Sequence, residues 1–386
     1  CTKLTVNFNK PNLIFVVQIH NMKSSVSFLL DKTIDGEFLN GEELLHLYHQ
    51  APLGVLMNAA HRLRQTLNNP KIVTWMIDRN INISNRCFCG CKFCNFHEKP
   101  GSPKIYETTK EEYRKKIDEL FRFGGNQILL QGGLDPKWDI GFYETLFRFL
   151  KQEFPQLKVH ALGPAEIFFI AKKSRLSIEK TLQRLIDAGL DSLPGAGAEI
   201  LVDRVRKLVS PNKCTADQWI EVMRIAHRMG MLTSATMMFG HLETIEERIE
   251  HLLRIREVQA QKPESSPGFK AFIPWPFQKN GTVLEQEYSQ IKKVIPSEYL
   301  RLLSISRLAL VNIQNIQASW LTVGREVGQV ALYAGANDLG SIMIEENVVS
   351  STGTRFTMTK EQMIQTIVEA GFEPLQRNQD YTIYDQ

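Results

Sequence analysis

Short β-branched or apolar runs alternate with amphipathic helical patterns along most of this chain, and that rhythm restricts its possible folds more than any other feature. The runs fall at residues 73–83, 127–130, 158–162, 232–238, 269–273, 313–321 and 341–345. Between them, Thr109-x-x-Glu112, Thr215-x-x-Gln218 and Thr244-x-x-Glu247 are capping boxes, in which each side chain satisfies a backbone N–H of the other residue. Tyr113, Ile117, Leu120 and Phe121 then share one helical face, and Gly124-Gly125 ends that helix. Spacings of this kind belong to βα units, not hairpins. Strands followed by helices, repeated six to eight times, predict an α/β fold closed as a parallel (β/α) barrel. A leucine-rich stretch over about residues 37–68 adds an N-terminal helical extension.

The expected organisation has three parts. Residues 1–21 are set aside as an uncertain extension, because the chain opens on Cys1 and Met22 offers a plausible start. Residues 22–70 form the helical segment, and residues 71–386 form the barrel with its C-terminal substrate-binding portion. A hydrophobic share of 43% and a charged share of 23% are ordinary globular usage. The net charge of +4 is too mild for a nucleic-acid partner, which needs a clustered basic face. No apolar run reaches the roughly 18 residues of a membrane span, and none resembles a secretory signal. A cytoplasmic location is expected.

The six cysteines are distributed unevenly. Cys87, Cys89, Cys91 and Cys94 fall within eight residues, whereas Cys1 and Cys214 stand alone. A disulfide framework scatters pairs through a short secreted chain, so metal ligation is the better reading. Cys87-x3-Cys91-x2-Cys94 can place one thiolate on each of three irons of a cubane and leave the fourth iron open. Cys89 is then surplus. Structural zinc is the competing reading, but it usually pairs two cysteine knuckles and no second one follows. His97-Glu98 lacks the second histidine that a zinc helix motif needs. A barrel carries its chemistry at the carboxyl ends of its strands. The cysteine loop, Gly132-Gly133 and Gly240-His241 all follow strands, and Glu345-Glu346-Asn347 ends the last one. Asn337-Asp338 precedes it.

Cys87-x3-Cys91-x2-Cys94 after a first barrel strand resembles the radical S-adenosylmethionine (SAM) enzymes. That resemblance implies a [4Fe-4S] cluster on Cys87, Cys91 and Cys94, with SAM chelating the open iron through its amino and carboxylate groups. It implies one-electron cleavage of SAM to methionine and a 5′-deoxyadenosyl radical. Phe93 would pack near the adenine. Gly132 and Gly133 would admit the SAM amine to the backbone, although Leu134 replaces the usual acidic residue. Glu199, on the fourth strand's loop, would contact the ribose or amine. Thr236 and Met238, in Thr236-x-Met238-x-Gly240-x-x-Glu243, would lie along the adenine, and Arg206 or Lys213 would meet the SAM carboxylate.

Residues 189–201, 236–244, 272–282, 317–329 and 335–349 resemble the futalosine-pathway menaquinone enzymes, in particular the cyclic dehypoxanthinyl futalosine synthase family. The implied substrate is dehypoxanthinyl futalosine. Hydrogen would be taken from C4′ of its sugar, the carbon radical would add to the benzoate ring, and loss of an electron and a proton would restore aromaticity. An external one-electron reductant such as flavodoxin or ferredoxin is implied as well. His241, Asp338 and Glu345 are candidate bases. Asn337, Glu346 and Asn347 suit the sugar hydroxyls, and Gln278 or Arg325 suits the benzoate carboxylate. Trp275 and Phe277 are either substrate contacts or barrel-mouth packing. Neighbouring readings are aminofutalosine synthase and the deazaflavin-pathway synthases. From another class comes a non-catalytic iron–sulfur electron carrier, which would use four cysteine ligands.

Overall fold

The first apolar run breaks at Ile77 into β1 (Ile72–Met76) and β2 (Asp78–Asn82). In the computed structural model, which describes residues 25–353 and 356–384, the two halves serve different partners. The extension 1–21 lies outside the described residues. β2 starts a seven-stranded parallel sheet that continues in chain order through β3 (Gln127–Gln131), β4 (Lys158–Ala161), β5 (Ser192–Leu193), β6 (Leu232–Phe239), β7 (Gly268–Pro276) and β8 (Asn315–Ile316). β1 lies between β9 (Asp338–Ser341) and β10 (Glu373–Gln376), again parallel to both.

Backbone hydrogen bonds close the ring. Asn337 N–H donates to Ile316 O (3.0 Å) and Ala318 N–H to Asp338 O (2.8 Å), joining β8 to β9. Ile342 N–H donates to Met76 O and Ile344 N–H to Asp78 O, joining β9 to the bent first strand. The seven strands plus β9 thus make an eight-membered barrel, with helices outside as the rhythm predicts. The three threonine capping boxes all form. The helix Lys110–Arg122 buries Tyr113, Ile117 and Leu120.

Two strand expectations are corrected. Within 313–321 only Asn315–Ile316 is extended, and Trp320–Val323 is a helical turn whose Thr322 and Val323 N–H groups return to Ser319 O. Ile316 joins the ladder, and Ile313 packs in the core outside it. The strand expected at 341–345 is β9, which begins at Asp338, so that residue lies inside it rather than ahead of it, and ends at Ser341. Met343 at φ 49° interrupts the strand geometry beyond. The two-residue β5 and the half-exposed β10 carry too little apolar pattern to be read from sequence.

The N-terminal helices pack on the barrel through Arg64. Its buried guanidinium donates to Ala336 O (3.0 Å), Pro70 O (3.0 Å) and Ile72 O (2.7 Å), tying the helix Leu53–Leu67 to the start of β1. At the amino end, the segment after β10 crosses beneath the strands. Arg377 N–H bonds Trp75 O, Asn126 Nδ2 donates to Asn378 Oδ1, and Gln127 Nε2 donates to Gln379 Oε1. This end of the barrel is therefore floored by the chain's own tail.

Three histidines are buried neutral in this frame. Burial pushes His160 and His251 down to about 3 and His227 down to about 4. His251 Nδ1 accepts the Leu201 N–H (3.0 Å), a bond available only to the neutral ring. Because these values lie below the unfolded value, the unfolded chain takes up protons first. The stability is present above about pH 6.5 and is lost as pH falls. At pH 5 the loss is on the order of 2 kcal/mol per histidine. Denaturant unfolding at pH 7 and pH 5 should show it, and His227→Leu should remove one of the three protons from the slope.

Candidate active site

The barrel encloses a cavity of about 430 Å³ that runs from the cysteine loop at the carboxyl end to Arg377, Gln379 and Tyr381 on the floor. Cys87, Cys89, Cys91 and Cys94 all line it. Their loop is pinned from several elements. Phe88 N–H donates to Leu134 O, Leu134 N–H donates to Cys87 Sγ (3.3 Å), and Lys92 N–H donates to Val209 O. Asn212 Nδ2 donates to Cys89 O, and Gly90 turns the chain at φ 63°. Hydrogen bonding from Cys89 brings Cys87 down to about 6 and lowers Cys91 too, while burial pushes Cys94 up to about 11. No three of the described acidic, cysteine or histidine side chains converge on a point that one ion could occupy. A cubane takes each thiolate on a different iron, so thiols spread over one cavity wall fit such a cluster.

A buried charge group stands beside the thiols. Lys213 Nζ lies 2.7 Å from Glu199 Oε1, Arg206 Nη1 lies 3.4 Å from Glu199 Oε2, and the Lys213 ammonium sits 5.1 Å from the Phe93 ring centroid. Burial alone would discharge Lys213, but Cys91 and Glu199 outweigh it and hold its pKa well above the usual lysine range. Burial likewise works against the Glu199 carboxylate, and Lys213 and Arg206 keep it ionised. Glu199 adopts φ 42°, a strained conformation for a residue with a side chain.

Several cofactor expectations meet in this cavity. Phe93, Gly132, Gly133, Glu199, Lys213 and Thr236 line it, with Thr236 Oγ1 donating to Gly195 O (2.7 Å). Arg206 is one layer back, spending its guanidinium on the carbonyls of Gly197, Ala198 and Cys214. Met238 is buried and is not among the cavity-lining residues, and its N–H donates to Glu199 O (3.1 Å). Gly133 has no spare volume. A Cβ there would overlap Arg86 O and lie 2.5 Å from Cys87 Cβ. Gly133→Ala should therefore displace the cysteine loop and strip most of the iron retained by reconstituted protein, as read by iron content.

The expected bases and substrate contacts are mostly elsewhere. His241 turns back on its own loop, with Nδ1 3.0 Å from Glu243 and Nε2 3.0 Å from Met238 O, outside the cavity lining. Asp338 is at the amino end, 0% exposed, where Arg377 and Thr74 hold it. Glu345 points outward to Arg79 (3.1 Å) and Lys116 on the helix side. Asn337 bonds Arg307 and Asn315 within the frame. Arg325 pairs with Glu369 outside the barrel, and Gln278 donates to Pro276 O beside a smaller pocket. Asn347 donates to Asn82 Oδ1, just behind the wall. Of these, Glu346 alone lines the cavity, its carboxylate accepting the N–H groups of Val348, Val349 and Ser350.

Sequence reading passed over the inward faces of the strands. Asp78, Asn80 and Asn82 alternate into the cavity from β2, with Ser84 just beyond it, and Ser234, Gln131 and His160 add polar groups from other strands. Ile273 and Trp275 from β7, with Trp320 and Met343, supply apolar lining. Glu166 is also internal. Its carboxylate accepts Gly132 N–H (3.0 Å) and Gly163 N–H (2.7 Å), and burial pushes it up to about 7. Its signal in the sequence was the cap spacing Gly163-x-x-Glu166, indistinguishable from an ordinary helix start.

A parallel barrel with a cysteine loop at the mouth of an internal cavity defines a class: residues 81–255 match the Radical SAM superfamily, and the chain belongs to it. Residues 266–386 match the CofH/MqnC C-terminal region. The chain is 41% identical to the cyclic dehypoxanthine futalosine synthase of Streptomyces coelicolor, covering 93% of this chain and 89% of that protein. It is equally 41% identical to the synthase of the same name from Halalkalibacterium halodurans, over 93% and 95% of the two chains. A 5-amino-6-(D-ribitylamino)uracil–L-tyrosine 4-hydroxyphenyl transferase of Archaeoglobus fulgidus is 37% identical over 81% of this chain and 89% of its own. Methylornithine synthase superposes with a TM-score of 0.69 at 21% identity, covering 91% and 98% of the two chains. The hydrogenase maturase HydG from Carboxydothermus hydrogenoformans superposes at 0.72 and 13%, covering 96% and 83%. Those two share the fold.

Proposed function

We propose that this chain cyclises dehypoxanthinyl futalosine to cyclic dehypoxanthinyl futalosine, a step of menaquinone biosynthesis. The observation that carries this reading is the 41% identity to two cyclic dehypoxanthine futalosine synthases across 93% of the chain. When bound, a [4Fe-4S] cluster with SAM supplies one-electron cleavage of the sulfonium and so a primary carbon radical able to take hydrogen from a sugar C–H bond. Cys87, Cys91 and Cys94 hold that cluster at the cavity mouth. Lys213 and Glu199 set the charge beside it, and Phe93 and Thr236 bound the space for the adenosyl group. Gly132 and Gly133 keep the wall thin next to Cys87. Further in, Ile273, Trp275 and Trp320 offer apolar surface to an aromatic ring, and the β2 wall offers hydrogen bonds to hydroxyl groups. The tail at the floor shuts out water from below, which protects a radical from quenching. The enzyme works in the cytoplasm with an external one-electron donor such as flavodoxin or ferredoxin. Among the described residues no helix is long and apolar enough to cross a membrane.

The test is anaerobic reconstitution followed by SAM, a reductant and synthetic dehypoxanthinyl futalosine, with products read by mass spectrometry. Deoxyadenosine together with a substrate two hydrogens lighter establishes the cyclase. Deoxyadenosine with that substrate unchanged overturns it and directs the assay to the aminofutalosine reaction or to tyrosine with 5-amino-6-(D-ribitylamino)uracil. Absence of deoxyadenosine from protein with an intact cluster overturns the enzyme reading.

A further inference from the structure

Buried polar side chains in folded proteins are almost always hydrogen-bonded, and exceptions call for a reason. β2 presents an exception inside the cavity. Its inward residues Asp78, Asn80 and Asn82, with Ser84 just beyond its end, succeed one another at every second position, as strand geometry requires. Two of the four are occupied. Ser84 Oγ donates to Tyr106 O (2.6 Å) and accepts the Arg86 N–H, and Asn82 Oδ1 accepts from Asn347. The other two each keep an unmatched buried oxygen. Asn80 is 3% exposed, lines the cavity, and has a side-chain amide that bonds no described residue, with Oδ1 buried and unmatched. Asp78 is 6% exposed, lines the cavity one step nearer the floor, and also has an unmatched buried Oδ1.

No contact of the fold explains the polarity of the Asn80 amide, and the Asp78 carboxyl, though Ser341, Gln127 and Arg377 flank it, keeps Oδ1 unmatched. A leucine would fill the space of Asn80 at no cost in desolvation. The pair lies well below the cysteine loop, for Asn80 precedes Cys87 by seven residues of chain running toward the cavity mouth. The region served is therefore the interior of the barrel, beneath the space beside the thiols. A carboxyl and an amide on adjacent inward positions of one strand, roughly 7 Å apart along it, supply acceptors and amide donors of the kind that hold hydroxyl groups. The cavity's apolar lining from β7 lies on other walls.

We propose that Asp78 and Asn80 are the substrate-positioning residues for a polyhydroxylated portion of the substrate, holding its hydroxyl groups against β2 while the aromatic portion faces Trp275. This deepens the futalosine reading and rests on it for the identity of the sugar. The assignment replaces Asn337 and Asn347, which the fold uses elsewhere. A site built to hydrogen-bond a hydroxyl rejects the analogue lacking it, because its own buried polar groups are then left unpaired.

The experiment measures binding to cluster-loaded, SAM-bound enzyme without reductant, using dehypoxanthinyl futalosine and its 2′-deoxy analogue. Wild type should prefer the hydroxylated ligand by about 10- to 100-fold. Asn80→Leu and the isosteric Asp78→Asn should each weaken that ligand by about tenfold or more, leave the deoxy analogue nearly unchanged, and so collapse the preference. Iron content and SAM affinity should match wild type in both variants, which a merely structural role would not predict. A preference that survives both variants overturns the proposal, as does its absence from wild type. If wild type instead binds 5-amino-6-(D-ribitylamino)uracil, the futalosine reading fails by itself. The same variants then decide the polyol assignment on that ligand: tenfold weakening supports it, and unchanged affinity overturns it. Binding of neither ligand overturns both.

Discussion

Cys91→Ala should yield a colourless protein that retains almost no iron after reconstitution and makes no deoxyadenosine from SAM. Cys91 is 6% exposed, and hydrogen bonding from Cys89 together with the Lys213 charge favours its thiolate. A cluster on three thiolates that loses one is left with two irons lacking protein ligands, so the loss should fall to background rather than scale with affinity. Cys89→Ala is the matched control and should keep both cluster and SAM cleavage. Its backbone N–H, 3.4 Å from Cys87 Sγ, survives the substitution, and only a thiol donor to its neighbours is lost. Iron content, visible absorption and deoxyadenosine yield check the pair. Loss of the cluster from Cys89→Ala would refute the ligand set Cys87, Cys91 and Cys94.

Arg377→Ala should destabilise the fold by about 3–5 kcal/mol, the usual cost of stranding one partner of a buried ion pair. Arg377 Nε donates to Asp338 Oδ2 (2.5 Å) and Nη2 to Asp338 Oδ1 (2.9 Å), while Thr74 Oγ1 donates to Oδ2 from β1. The pair joins β9, β1 and the tail that floors the barrel. Removing the guanidinium leaves a carboxylate of 0% exposure without a cation. Denaturant midpoints should fall accordingly. The double variant Asp338→Asn with Arg377→Met should recover most of the loss, since it strands no charge. A fall no larger for Arg377→Ala than for the double variant would show that packing of the tail, not charge, is what Arg377 contributes. Catalysis lost from Asp338→Asn in step with stability would agree with a structural role for Asp338 and with its absence from the cavity lining.

Legibility followed the range of each interaction. The capping boxes at Thr109, Thr215 and Thr244 act over three residues, and all three formed as read. The cysteine spacing acts over eight residues and placed the thiols at the mouth of the barrel. Candidates chosen because they stand near a strand end fared differently, since nearness in sequence does not set the direction of a side chain. Glu345 and Glu346 are neighbours, yet one faces Arg79 outside and the other lines the cavity. Asp338 looked catalytic as an acid beside a strand, but the end it occupies is the amino end. Asp78 and Asn80 attracted no notice in a run that reads simply as a strand.

By itself, then, the sequence determined the alternating βα architecture, the helix starts and the clustered thiols, because periodicity, capping and ligand spacing are local properties. Only the tertiary structure decided which polar side chains share the cavity, which are consumed by ion pairs such as Arg377–Asp338, and that the chain's own tail closes the floor. Those outcomes depend on ring closure between β8, β9 and the bent first strand. That closure brings together residues more than two hundred positions apart, and no local pattern encodes it.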